Sequence, residues 1–125
     1  MSYIKFNNHP KGLNTSDCVV RAISKAFDND YLETRRELNR VKRELGFKSY
    51  KDTKFLYKHL EAYERIILKA VRGEPRIKGY DFTEMYPKGT YILKMAGHIS
   101  VMIDGVIYDT WDCRYRTVYT AWKVN

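Results

Sequence analysis

The stretch "GTYILKMAGHISVMIDGVIYDTW", Gly89 to Trp111, decides the fold. Two β-rich runs flank Asp104-Gly105, a dipeptide that accepts positive φ at both positions and so predicts a two-residue type I′ hairpin loop. The loop serves as a ruler. With Asp104 and Gly105 at its tip, Ile103 faces Val106, Ser100 faces Asp109 and His98 faces Trp111, and facing residues share one side of the sheet. His98, Ser100 and Met102 then stand with Ile107, Asp109 and Trp111, while Ile99, Val101 and Ile103 point the other way. A histidine and an acid are thereby set diagonally across one strand pair, within side-chain reach. Asp112 falls on the opposite face.

Ahead of this hairpin the hydrophobic period is helical. In "NTSDCVVRAISKAF", Asn14 to Phe27, the residues Val19, Val20, Ile23, Ala26 and Phe27 follow the i, i+3, i+4, i+7 pattern, with Ser16 or Thr15 as the expected cap. Asp30 with Glu33 reads as a capping box and Leu45-Gly46 as a stop, so Tyr31 to Leu45 predicts a second helix with Leu38, Val41 and Leu45 inward. "DTKFLYKHLEAY" predicts a third, capped by Asp52, with Phe55, Leu56, Leu60 and Tyr63 inward. "RIILKAV", Arg65 to Val71, and "TVYTAW", Thr117 to Trp122, read as strands, and "GEPRIKGYD" as a linker between the two halves. Helices first and antiparallel strands afterwards predict an α+β domain, with N-terminal helices packed on a C-terminal antiparallel sheet.

The 125 residues suit one domain, residues 1–125, with one core. "MSYIKFNNHPKG" lacks the apolar run of a signal peptide, and no segment approaches the roughly 18 apolar residues of a membrane span, which predicts a cytoplasmic protein with no membrane partner. Two cysteines, Cys18 and Cys113, make no disulfide scaffold; three histidines without a CxxC predict no metal site, and nothing implies a cofactor. Of the net charge of +8, a surplus of 7 lies between Tyr31 and Lys78, where 14 Lys and Arg meet 7 Asp and Glu. Its Arg35 to Lys58 portion is a candidate face for nucleic acid or an acidic protein. Interleaved glutamates also allow a plain solvated helical face.

The chemistry turns on Cys18, which falls where a helix begins. Backbone N–H groups there have no helical partner, and their partial positive charge of about half an elementary unit favours a thiolate. Combined with a strand histidine and an acid, this is the constellation of a thiol hydrolase: the imidazole takes the thiol proton and the acid orients the imidazole. Each piece alone also has a structural reading, Cys18 as core packing, His98 as a satisfied strand residue and Asp109 as an edge acid. Asp17, beside Cys18, works against a low thiol pKa.

"SDCVVRAISKAF" together with "GTYILKMAGHISVMIDGVIYDTWD" resembles a family of small papain-like cysteine peptidases, similar in pattern to C39-type peptidases and common in bacteriophages and mobile elements. The resemblance spans Asn7 to Phe27 and Lys88 to Trp122. It implies a papain-like fold, cleavage of a peptide or isopeptide bond in a protein or peptide substrate, and the roles of nucleophile, base and orienting acid on Cys18, His98 and Asp109. Papain-like enzymes usually carry a Gln six residues before the nucleophile to complete the oxyanion hole; Gly12 stands there. Asn14 and Asn8 are the nearby amides for that role, and Asp112 in "DTWDC" is the alternative acid. The competing expectation is a non-catalytic basic module that binds nucleic acid or a host protein through the Arg35–Lys58 face.

Overall fold

A computed structural model describes all 125 residues. The elements run β1 (Tyr3–Lys5), α1 (Cys18–Ala26), α2 (Tyr31–Glu44), α3 (Thr53–His59), β2 (Glu64–Ile67), α4 (Gly79–Met85), β3 (Thr90–Met95), β4 (His98–Ile103), β5 (Val106–Asp109) and β6 (Val118–Lys123). One six-stranded sheet has the order β1-β5-β4-β3-β6-β2. No helix is long and apolar enough to cross a membrane.

The α+β class stands, and the hairpin forms in the expected register, Ile103 opposite Val106 and Met102 opposite Ile107. Asp104 and Gly105 have φ of 48° and 75°, the left-handed pair that a type I′ loop requires. The alternation of the strands sorts the core into two layers. Ile92, Ile99, Val101 and Trp122 meet Val19, Val20, Ile23, Leu38, Phe55 and Leu60 of the first three helices on one face. Tyr91, Leu93, Met95, Met102 and Ile107 meet Phe82 of α4 and Cys113 on the other.

Four expectations need correction. The sheet is mixed, not wholly antiparallel, because β1 pairs parallel to β5 with Lys5 opposite Asp109. Three residues ahead of a loop carry too little periodicity to declare a strand. The "GEPRIKGYD" linker ends by starting α4, whose first turn is closed by Asp81 Oδ2 accepting from the Lys78 N–H at 2.8 Å. β2 stops at Ile67; past Leu68, which still bonds Tyr119 O, the chain leaves the edge and Val71 is exposed. Leu45 and Tyr63 also face solvent, since each lies just past the end of its helix. Asp30 and Asp52 do cap α2 and α3, accepting from Glu33 N at 3.1 Å and Lys54 N at 2.8 Å.

Helix α4 docks end-on against the loop that follows β5. The Gly79 and Tyr80 N–H groups donate to Arg116 O and Arg114 O, both at 3.0 Å, in place of the missing intrahelical partners. The approach is close enough that a Cβ on Gly79 would lie 2.8 Å from Arg114 Cα, against backbone that cannot swing aside. Gly79→Ala is therefore expected to destabilise the protein by about 1–3 kcal/mol despite alanine's better helix propensity. Thermal unfolding checks it, and an unchanged melting temperature would show that the loop yields freely.

Candidate active site

Cys18 is the first residue of α1 and is half-buried. The cap is Asp17, in place of the expected Ser16 or Thr15, yet its side chain makes no capping hydrogen bond. Its carboxylate is ion-paired with Arg21 one turn on and accepts from Tyr31 Oη at 2.7 Å. The first-turn N–H groups beside the thiol are thus left without a side-chain acceptor. Asp17's charge is also engaged away from the sulfur, which removes the objection that its neighbour would hold the thiol neutral.

The regular ladder between β4 and β5 ends at Val101 and Tyr108, but the same pairing continues in the side chains. Ser100 Oγ donates to Asp109 Oδ2 at 2.6 Å, the His98 and Trp111 rings lie 4.9 Å apart, and His98 Nε2 meets Asp109 Oδ2 at 2.7 Å. Asp109 is 1% exposed. Its main chain is clamped by β1 and the residue after it, with Tyr3 Oη and the Phe6 N–H both donating to its carbonyl.

Helix α1 meets the sheet at this end, and Cys18, His98 and Ile99 line one cleft, where the imidazole and the Ile99 N–H act on the sulfur. With Nε2 held by Asp109, Nδ1 is the ring nitrogen left for the thiol. Burial favours the neutral thiol, but the donors of His98 and Ile99 and the charges of His98 and Arg21 outweigh it and hold the Cys18 pKa below the ordinary thiol value. Burial likewise opposes a charged imidazole, yet the hydrogen bond to Asp109, aided by the thiols of Cys113 and Cys18, pushes His98 up. For Asp109, burial is overcome by the His98 and Ser100 hydrogen bonds and by the charges of His98 and Arg21, which keep it below the usual carboxylate range. The proton of the thiol thus has a place to go.

Cys18 and His98 open onto a cleft of about 480 Å³ whose walls include Asn14, Tyr50, Leu56 and Trp111. Of the two amides considered for the oxyanion, only Asn14 lines it. Asn8 is turned away, donating through Nδ2 to Ser24 Oγ at 2.7 Å on the flank of α1. Asp112, the alternative acid, does not contact the imidazole: it is held by its own neighbour Arg114, at 2.8 Å to Nε and 2.7 Å to an NH2 group.

Cys113 opens the turn after β5, the Arg116 N–H donating to its carbonyl at 3.0 Å, yet its side chain is fully buried, with Sγ 3.5 Å from Asp109 Oδ2 and 3.8 Å from Ser100 Oγ. The donor atoms of His98, Asp109 and Cys113 all lie within 4.8 Å of one another, an element set that suits zinc. However, the 2.7 Å between His98 and Asp109 is a hydrogen bond, shorter than the ~3.3 Å that two ligands at tetrahedral angles on one zinc ion would keep. Hydrogen bonding among the three groups accounts for their approach. Arg21 and Trp111 are the site residues that sequence reasoning missed. Arg21 reaches Asp109 Oδ1 at 3.2 Å, and its only advance signal is the i, i+4 spacing from Asp17. Trp111 was placed on the His98 face without a role; its ring lies against the imidazole beside the Asp109 contact.

No family model matches this chain, no curated protein matches it, and no solved structure matches it.

Proposed function

We propose that this protein is a thiol hydrolase of papain-like design that cleaves peptide or isopeptide bonds through Cys18, His98 and Asp109. The observation that carries the reading is the shared imidazole. One ring nitrogen of His98 is held by a buried carboxylate, and the same ring shares a cleft with, and lowers the pKa of, a cysteine at a helix start that no side chain caps.

In this mechanism Cys18 attacks the substrate carbonyl as a thiolate, with its proton already on His98. Negative charge moves to the carbonyl oxygen, where first-turn N–H groups of α1 are free to donate and the Asn14 amide lines the same cleft. The imidazolium then gives its proton to the departing amine, leaving a thioester on Cys18. Water, deprotonated by His98, attacks that thioester and releases the acid and the thiol. Asp109 stays ionised throughout, because its donors stabilise the anion. Ser100 and Cys113 help hold it in place. A non-catalytic role for the Arg35–Lys58 surface is the competing reading, and the thiol's reactivity decides between them.

Selective alkylation tests the ion pair. A thiol with pKa near 8.5 is only about 1% thiolate at pH 6.5, whereas the lowered Cys18 pKa is expected to leave a larger thiolate fraction and faster reaction with iodoacetamide at that pH. Rates fall only when pH drops through the lowered value. His98→Ala is expected to slow labelling at pH 6.5 about tenfold or more, and Asp109→Asn less. Labelling of Cys18 that ignores His98→Ala would overturn the catalytic reading. Cys113 is a poor internal standard, since burial alone shields it; it should label only in denaturant.

The choice of acid has its own test. Asp112→Asn should leave the pH dependence of Cys18 alkylation unchanged, because Asp112 contacts Arg114 and not the imidazole. Hydrolysis is read by incubating the protein with a mixed peptide library and sequencing new termini by mass spectrometry. New termini that form equally with Cys18→Ala would rule out Cys18 as nucleophile.

A further inference from the structure

Arg21 is a full positive charge placed in the core, 4% exposed, on an α1 turn otherwise made of Val20, Ala22 and Ser24. Taking a guanidinium out of water is costly unless its donors are matched, and here both arms are. One NH group pairs with Asp17, four residues back at the cap of the same helix; the other reaches Asp109, 88 residues away on β5, at 3.2 Å. The second contact is the informative one. A helix-stabilising ion pair would need only Asp17.

The two oxygens of Asp109 have separate partners. Oδ1 accepts from Arg21 and from the Thr110 N–H at 2.8 Å. Oδ2 accepts from His98, Ser100 and Cys113. Rotation about an aspartate's χ2 is soft and nearly two-fold, so a carboxylate without an anchor on Oδ1 can turn either oxygen toward the ring. Arg21 is the anchor that comes from the helix carrying the nucleophile.

We propose that Arg21 is a positioning residue of the thiol site: its forked guanidinium ties the helix turn that bears Cys18 to the carboxylate that orients His98, fixing both distance and rotation between them. Its catalytic consequence rests on the thiol-hydrolase reading, whereas the coupling between Arg21 and the imidazole does not. An arginine is needed because a planar fork spans two carboxylates at once, and a lysine ammonium, a point charge on a flexible stem, does not hold both in fixed geometry. The charged and titratable groups facing this centre are Asp17 on the turn before α1, Cys18 of α1, Tyr31 from α2, Tyr50 from the segment before α3, His98 from β4 and Cys113 from the loop after β5, with Arg35 of α2 acting on both tyrosines. Tyr3 of β1 touches only the Asp109 backbone.

The test compares wild type, Arg21→Met and Arg21→Lys in the full chain labelled with ¹⁵N-histidine. Three quantities are read: thermal unfolding, the pH profile of Cys18 alkylation by iodoacetamide, and the ring-nitrogen resonances of His98. Arg21→Met is expected to move the alkylation midpoint up by about one unit, seen as roughly tenfold slower labelling at pH 6.5, and to displace the His98 resonances. Arg21→Lys should recover melting temperature more fully than it recovers the His98 resonances. A folded Arg21→Met with a wild-type alkylation profile and wild-type resonances overturns the proposal, even if it melts earlier. If Arg21→Met does not fold, Arg21→Lys carries the same decision, with wild-type profile and resonances again the overturning result. Alkylation indifferent to His98→Ala would instead sink the hydrolase reading and leave the Arg21-to-imidazole coupling to be judged from the resonances alone.

Discussion

The carboxylate of Asp109 is the constraint around which the molecule is arranged. A nearly inaccessible anion survives only if donors replace its water, and it has five: Arg21, Thr110 N–H, His98, Ser100 and Cys113. They come from α1, β4 and the loop after β5, so placing one acid fixes three parts of the chain. Strand β1 adds a clamp on the main chain of the same residue, and α4 braces the loop that carries Cys113 through Gly79 and Tyr80. Removing one donor leaves the others around a charge they were matched to in number. For that reason this site is expected to lose function by reorientation before it loses the fold.

A second constraint opposes the first. Helix α1 would be steadier if Asp17 bonded its first-turn N–H groups, an interaction worth about 0.5–2 kcal/mol at a helix start. The chain places an acid at the cap and then draws it off toward Arg21 and Tyr31. The loss is offset by burying a guanidinium with two anionic partners in place of one. What it leaves is a helix start whose donors and partial charge are available to a sulfur and to an oxyanion. This diversion also explains why an aspartate immediately before the cysteine does not hold the thiol protonated.

The sequence made the hairpin legible because Asp104-Gly105 dictates a loop of two residues and a period of two does the rest. From that register alone, His98, Ser100 and Asp109 share one face, and their side chains meet there. Cys18 at a helix start was legible from hydrophobic spacing. Arg21 was not, since an arginine within an amphipathic pattern ordinarily reads as solvent-facing, and only tertiary structure shows that its partner lies 88 residues away. Strand β1 and helix α4 were missed because each is short and takes its stability from what it packs against. The burial of Cys113 was not legible for a related reason: it does open a turn, and only its packing with Phe82 of α4 shows that the side chain is inside.

These two classes of information imply an order of dependence in the site itself. The His98–Asp109 pair belongs to a local hairpin, whose strands are joined by a two-residue loop and need little chain closure to meet. The Cys18 and Arg21 contacts are long-range and need α1 to dock on the sheet, with Val19, Val20 and Ile23 against Ile99 and Val101. Acid and base can therefore be paired while the nucleophile is still unmatched. The Cys18 pKa is lowered only when the helix face is buried, because His98 and Ile99, which lower it, arrive with that packing. On the proposed thiol-hydrolase reading, the activated cysteine is thus withheld from the unfolded chain and from any state in which the helices have not closed onto the sheet, and apolar burial on α1 sets when that site forms.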